Sequence, residues 1–226
     1  MEQLVTLLGL QADYPYPLEF YIDIAGAIAF AFSGAGVGIR KHMDIFGVTA
    51  LAIVTATGGG MLRDMTIGVH PPVIFHQVIF PLVATLTANI YFWAVYFHKG
   101  VPQKHLHLFE RLHFWADTLG VASYAVSGAY MGIQQGLGEK LYLLLYMGFM
   151  TACGGGILRD VLSGQLSKVF TKRVYALAAI IGAWIVGIGK GKLFFLIIGA
   201  ITVVMIRYIA DKYDLNLPAI PEKEEL

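Results

Sequence analysis

Apolar runs long enough to cross a bilayer, separated by short polar breaks, dominate this chain. A hydrocarbon core is about 30 Å thick and takes about 20 residues as α-helix. Seven runs fit, at roughly 18–39, 45–67, 75–97, 113–134, 141–163, 173–189 and 192–210. Only Lys190-Gly191-Lys192 divides the last two. One helix through both would reach about 57 Å at the α-helical rise per residue, so a turn is expected there. The pattern predicts an all-α, polytopic membrane protein with seven transmembrane helices. Residues 1–17 form an extracytoplasmic N-terminal segment, 98–112 a cytoplasmic linker and 211–226 a solvated cytoplasmic tail containing Pro218 and Pro221.

Composition supports lipid as the solvent. The chain is 57% hydrophobic and 14% charged, against about 25% charged in soluble domains. A net charge of +1 gives no bulk attraction to nucleic acid. The single cysteine, Cys153, excludes an internal disulfide. Residues 1–16 carry no Lys or Arg, so the basic start of a cleavable signal peptide is missing. Cationic residues cluster on the cytoplasmic side of membrane proteins. With the N-terminus outside, twelve Lys and Arg fall inside and four (Arg63, Lys140, Lys190 and Lys192) outside. The expected placement is therefore a cell (inner) membrane, with the N-terminus out and the C-terminus in.

Two stretches of the chain repeat. Asp23, Ser33-Gly34 and Gly38-Ile39 recur 94 residues later as Asp117, Ser127-Gly128 and Gly132-Ile133. Gly58-Gly59-Gly60-Met61-Leu62-Arg63-Asp64 recurs 96 residues later as Gly154-Gly155-Gly156-Ile157-Leu158-Arg159-Asp160. Each copy holds three of the apolar runs, 18–97 in the first and 113–189 in the second, with 192–210 left over as a seventh helix. An odd number of spans per copy inverts the second copy in the membrane, as in many transport proteins.

The glycine runs lie about thirteen residues into the second and fifth spans, close to mid-bilayer at 1.5 Å per residue. Glycine is a poor helix former, so three in a row are expected to kink or open both helices. Freed backbone groups at that depth need protein or water, which points to a shared polar pathway; close helix packing is the other use of small residues. Arg63, Asp64, Arg159 and Asp160 are charges inside apolar runs, and such charges are costly. Neighbouring residues on a helix do not face one another, so each arginine is expected to bond a group on another helix, as a gate or as a brace of the broken helix. Ser33, Ser127, Thr55, Thr57 and Thr151 supply hydroxyls beside the glycines, suited to a partly dehydrated ion or bonded to their own helices. Asp23 and Asp117 are secondary candidates, either in the pathway or at the interface, where Asp117 could pair with Arg111. His98, His105, His107 and His113 lack the spacing of a fixed ligand pair and read as a solvated linker. No metal or cofactor is expected. The serines have no repeated His partner at membrane depth, so no enzyme is expected either.

On Ser33-Gly34, Ser127-Gly128 and the doubled Gly-Gly-Gly-x-Leu-Arg-Asp motif, the chain resembles the prokaryotic trimeric intracellular cation (TRIC) channel family. The resemblance spans residues 20–210 and overlaps the bacterial proteins described as glycine transporter domain proteins. It implies a homotrimer in the lipid bilayer, with a pore in each subunit lined by the helices kinked at Gly58–Gly60 and Gly154–Gly156. It also implies passage of monovalent cations, chiefly potassium. The residues themselves leave a second reading open, a secondary transporter of a small zwitterion such as glycine working by alternating access.

Overall fold

The computed structural model describes residues 17–98, 106–171 and 174–215. Within these lie eight α-helices. They are α1 (Pro17–Arg40), α2 (Ile45–Thr66), α3 (Ile79–Phe97), α4 (Leu106–Gln134), α5 (Leu141–Leu162), α6 (Lys168–Thr171), α7 (Tyr175–Ile188) and α8 (Leu193–Lys212). Five of them, α1 (from Phe20), α2, α3, α5 and α8, are long and apolar enough to cross a membrane. The protein is an all-helical membrane protein.

Local sequence sets the helix ends. Asp44 caps α2, its carboxylate accepting from the Gly47 N–H at 2.7 Å. Gly191, at φ +71°, turns the chain between α7 and α8 as expected from Lys190-Gly191-Lys192. Two boundaries differ from the sequence reading. A 3₁₀ turn, Val73–Phe75, precedes α3, which starts at Ile79 rather than 75. Helix α4 starts at Leu106, inside the expected linker, and its 29 residues reach about 44 Å, longer than a hydrocarbon core is thick. Residues 1–16, 99–105 (with His105) and 216–226 lie outside the described residues.

The helices pack in a reciprocal scheme. α1 packs on α2, α3 and α4, while α4 packs on α5, α7 and α1, and α2 and α5 pack on each other; α8 lies against α4 and α7. Equivalent positions meet each other across the centre. A methyl group on Gly26 would press on the Tyr124 ring at 2.8 Å, and one on Gly120 on the Phe30 ring at 2.7 Å. Phe30 and Tyr124 themselves pack edge to face at 5.2 Å.

The chain stays α-helical through both glycine runs, so the expected opening of the helices is not seen. The glycines work as contacts instead. A methyl group on Gly59 would overlap the Thr151 carbonyl oxygen, and one on Gly155 would overlap that of Thr55. As one helix rises from 55 to 59 the other falls from 155 to 151, so α2 and α5 cross antiparallel with backbone against backbone. Only residues without a side chain allow so close an approach. Arg63 and Arg159 therefore lie on opposite sides of this crossing.

Gly155→Val should lower stability by about 1–3 kcal/mol, the usual cost of overpacking, read as a lower unfolding temperature in detergent. Gly138→Ala should leave the midpoint unchanged, because the nearest atom to its added methyl is 3.7 Å away.

Candidate functional site

Both arginines turn back on their own helix. Arg63 Nε donates to Asp64 Oδ1 at 2.8 Å, and Arg159 Nε to Asp160 Oδ1 at 2.9 Å. Each arginine also bonds another helix as expected, Arg63 reaching Thr151 and Arg159 reaching Ser33 and Asp117, but the premise that adjacent residues do not meet is corrected. That rule describes Cβ positions, and the long arginine side chain is able to swing round to the next carboxylate. Asp64 also accepts the Val73 N–H at 2.9 Å, tying the end of α2 to the 3₁₀ turn.

Beyond these pairs the two ends differ. At the Arg159 end, Arg159 Nη1 donates to Ser33 Oγ of α1 at 2.7 Å and to Asp117 Oδ1 of α4 at 3.0 Å. Arg207 of α8 reaches the other Asp117 oxygen at 2.9 Å, and its Nε donates to Thr118 Oγ1 at 3.0 Å. The Arg207 guanidinium lies 4.1 Å from the centre of the Tyr175 ring. Arg159, Asp160, Asp117, Ser33 and Arg207 are all buried. Two guanidinium groups and two carboxylates pack together and seal this end.

At the Arg63 end the matching residues surround open space. A cavity of about 480 Å³ is lined by Asp23, Thr57, Gly60, Arg63, Asp64, Ser127 and Thr151, with Gln77, Gln134 and Gln135 among its other walls. By the internal offsets, Asp23 and Ser127 correspond to Asp117 and Ser33. Arg63 is not drawn onto them; apart from Asp64 it donates to Thr151 Oγ1 at 3.4 Å. The cavity has room for several waters. Two carboxylates and one guanidinium leave its lining with a net charge of −1. The same residue types thus form a sealed ion-pair cluster at one end and a polar cavity at the other.

The family profile described as "Glycine transporter" matches the chain twice, over residues 20–96 and 114–190. The chain belongs to this family. A curated relative, the UPF0126 membrane protein YvgT of Bacillus subtilis, is 33% identical over 198 residues, covering 87% of this chain and 94% of that protein. Among solved structures, one reported as the structural basis for conductance through TRIC cation channels aligns with TM-score 0.77 and 27% identity, over 90% of this chain and 98% of that one. The trimeric intracellular cation channel orthologue from Rhodobacter sphaeroides aligns with TM-score 0.78 and 29% identity, over 88% of this chain and all of that one. The glycine transporter family and the TRIC fold therefore meet in this chain.

Within this family fold, the residues singled out from sequence separate into three groups. Asp23, Thr57, Gly60, Arg63, Asp64, Ser127 and Thr151 line the cavity. Ser33, Asp117, Arg159 and Asp160 form the sealed cluster. Gly58, Gly59, Gly154 and Gly155 sit at or beside the helix crossing, while a methyl group added at Gly156 would lie 3.5 Å from the Tyr175 hydroxyl. Thr55 is fully buried and bonds the Leu51 carbonyl. Asp117 bonds Arg159 and Arg207 in place of the Arg111 pairing considered from sequence. His113, read as part of a solvated linker, is buried; its Nδ1 lies 2.8 Å from the Phe109 carbonyl. Among the described residues no three His, Cys, Asp or Glu side chains gather as metal ligands.

Sequence reasoning missed Arg207, taken only as a cytoplasmic charge, and Tyr175. The signal for Arg207 was there, because it interrupts the apolar run Ile201–Ile209. Removing one partner from a buried ion pair costs about 3–5 kcal/mol. Asp117→Ala should therefore lower the unfolding temperature in detergent strongly. Asp23→Ala, at the cavity, should lower it much less.

Proposed function

We propose that the protein is a cation channel of the cell (inner) membrane that passes monovalent ions, chiefly potassium, through a pathway within each subunit of a homotrimer. The observation that carries this reading is the cavity at the Arg63 end, net negative and reaching the glycine crossing, aligned with a sealed ion-pair cluster beyond it. The likeness to TRIC cation channels supports the same class of activity. Hydroxyl and carbonyl oxygens beside the glycines suit replacement of part of an ion's hydration shell.

In this reading the chain has seven spans, two inverted three-helix repeats and a final helix. The reciprocal contacts of Gly59 with Thr151 and of Gly155 with Thr55 support the inversion, as does the doubled family match. The excess of Lys and Arg in alternate loops supports an N-terminus outside, with the Arg63 end facing out and the Arg159 end facing in. Conduction requires Arg159 to leave Asp117, and bending at the glycines is the motion available for it.

One observation favours a second reading. The cavity offers carboxylates and a guanidinium together, which suits both ends of a zwitterion, and one end is open while the other is closed, as alternating access needs.

Purified protein in liposomes separates the two. The channel reading predicts potassium flux that follows voltage and needs no counter-substrate, with Arg159→Ala raising the flux several-fold. Saturable glycine exchange without ionic conductance would instead establish the transporter.

A further inference from the structure

Helix α4 is longer than the hydrocarbon core is thick. From Trp115 to Gln134 it covers about 29 Å, one hydrocarbon thickness, so the turns from Leu106 to Phe114 stand at headgroup depth. His107, Glu110, Arg111, Phe114 and Trp115 recur at the i, i+3, i+4, i+7, i+8 spacing of one helix face. Tyr208 and Asp211 of α8 stand opposite, and together these side chains line a cleft of about 240 Å³. The Trp115 and Tyr208 rings stack across it at 5.9 Å. Such rings favour the boundary between acyl tails and headgroups.

The cleft offers charges of both signs and leads to an apolar track. His107 and Arg111 are exposed, and neither side chain makes an ion pair or hydrogen bond among the described residues. Glu110 is exposed beside them, and Arg40 of α1 also acts on it electrostatically. Asp211 supplies a second carboxylate. From Tyr208 into the membrane, Met205, Ile201 and Ile197 continue along one face of α8, all exposed. Phe114, which lines the cleft, also lies with its ring 5.6 Å from the Arg207 guanidinium, so the cleft adjoins the sealed cluster.

We propose that this cleft binds a phospholipid whose headgroup carries a phosphate and a primary ammonium, the chemistry of phosphatidylethanolamine. The phosphate accepts from Arg111 and His107, and a guanidinium suits it through two parallel N–H bonds. The ammonium carries three donors and meets Glu110 and Asp211, since a carboxylate accepts more than one hydrogen bond. A trimethylated ammonium has no donor for them, and an anionic headgroup without an ammonium sets its phosphate beside two carboxylates. Trp115 and Tyr208 stand at the glycerol level, and an acyl chain lies along Met205 and Ile201. A lipid held this way joins α4 to α8 beside the cluster, whether the pathway is a channel or a transporter.

The test is native mass spectrometry of the purified protein in detergent, titrated with one lipid at a time. Phosphatidylethanolamine should be held more tightly than phosphatidylcholine or phosphatidylglycerol with the same acyl chains, and it should raise the unfolding temperature. Arg111→Ala should weaken its binding about tenfold, as loss of a charge-assisted hydrogen bond does. Glu110→Gln should erase the preference over phosphatidylcholine. Lys140→Ala, at the far end of α4 where α5 begins, should change neither. Free phosphoethanolamine at the same concentration should not compete, because it has no chain for the α8 track. Equal retention of the three lipids, tighter binding of phosphatidylglycerol, or displacement by free phosphoethanolamine overturns the proposal. So does unchanged binding in Arg111→Ala or, if that variant does not fold, an unchanged preference in Glu110→Gln.

Discussion

A guanidinium group cannot be left alone in a low-dielectric interior. Arg63, Arg159 and Arg207 are all buried in the helices of a membrane protein, and most of the interior follows from giving them partners. Each meets a carboxylate: Asp64 for Arg63, Asp160 and Asp117 for Arg159, and Asp117 for Arg207. Asp64 and Asp160 lie on the arginines' own helices, while Asp117 of α4 ties α5 and α8 together and Ser33 brings α1 to Arg159. The glycines make this possible at the centre. With Gly59 and Gly155 letting α2 and α5 touch along their backbones, the arginines emerge on opposite sides of the contact and meet different surroundings.

The two surroundings use equivalent residues in unequal ways. At one end the aspartate and serine close on the arginine; at the other they stand across a cavity from it. Opening the closed end means separating charges that water or an ion must then solvate, since an uncompensated buried charge is costly. A barrier of this kind suits a pathway that is shut at rest. Arg207 adds a guanidinium from outside the repeats, so the two ends differ in their partners as well as in shape.

Much of this was legible in the sequence. Apolar run length located the helices, and the doubled motif identified the residues that now form the cavity and the cluster. Asp23 and Asp117 could be matched by offset alone. The role of the glycines was less legible. Their helix propensity argues for a break, while the contact that keeps them helical exists only once α2 and α5 are brought together. The Arg–Asp pairing was hidden because it depends on side-chain reach rather than on Cβ spacing. Arg207 and Tyr175 lay outside the repeated motif, and a search guided by repetition passes over the residues that break it. His113 looked solvated because α4 begins earlier than its apolar run does.

The unequal exposure of the two ends is the feature most open to direct measurement. Ser33 and Ser127 are equivalent by repeat, yet one lies in the cluster and the other lines the cavity. Each can be replaced singly by Cys in a Cys153→Ala background and treated in proteoliposomes, at zero voltage, with a membrane-impermeant thiol reagent present on both sides. Cysteine at 127 should react readily, and cysteine at 33 should be protected. Equal reactivity, or faster reaction at 33, would contradict a pathway open at the Arg63 end and sealed at the Arg159 end.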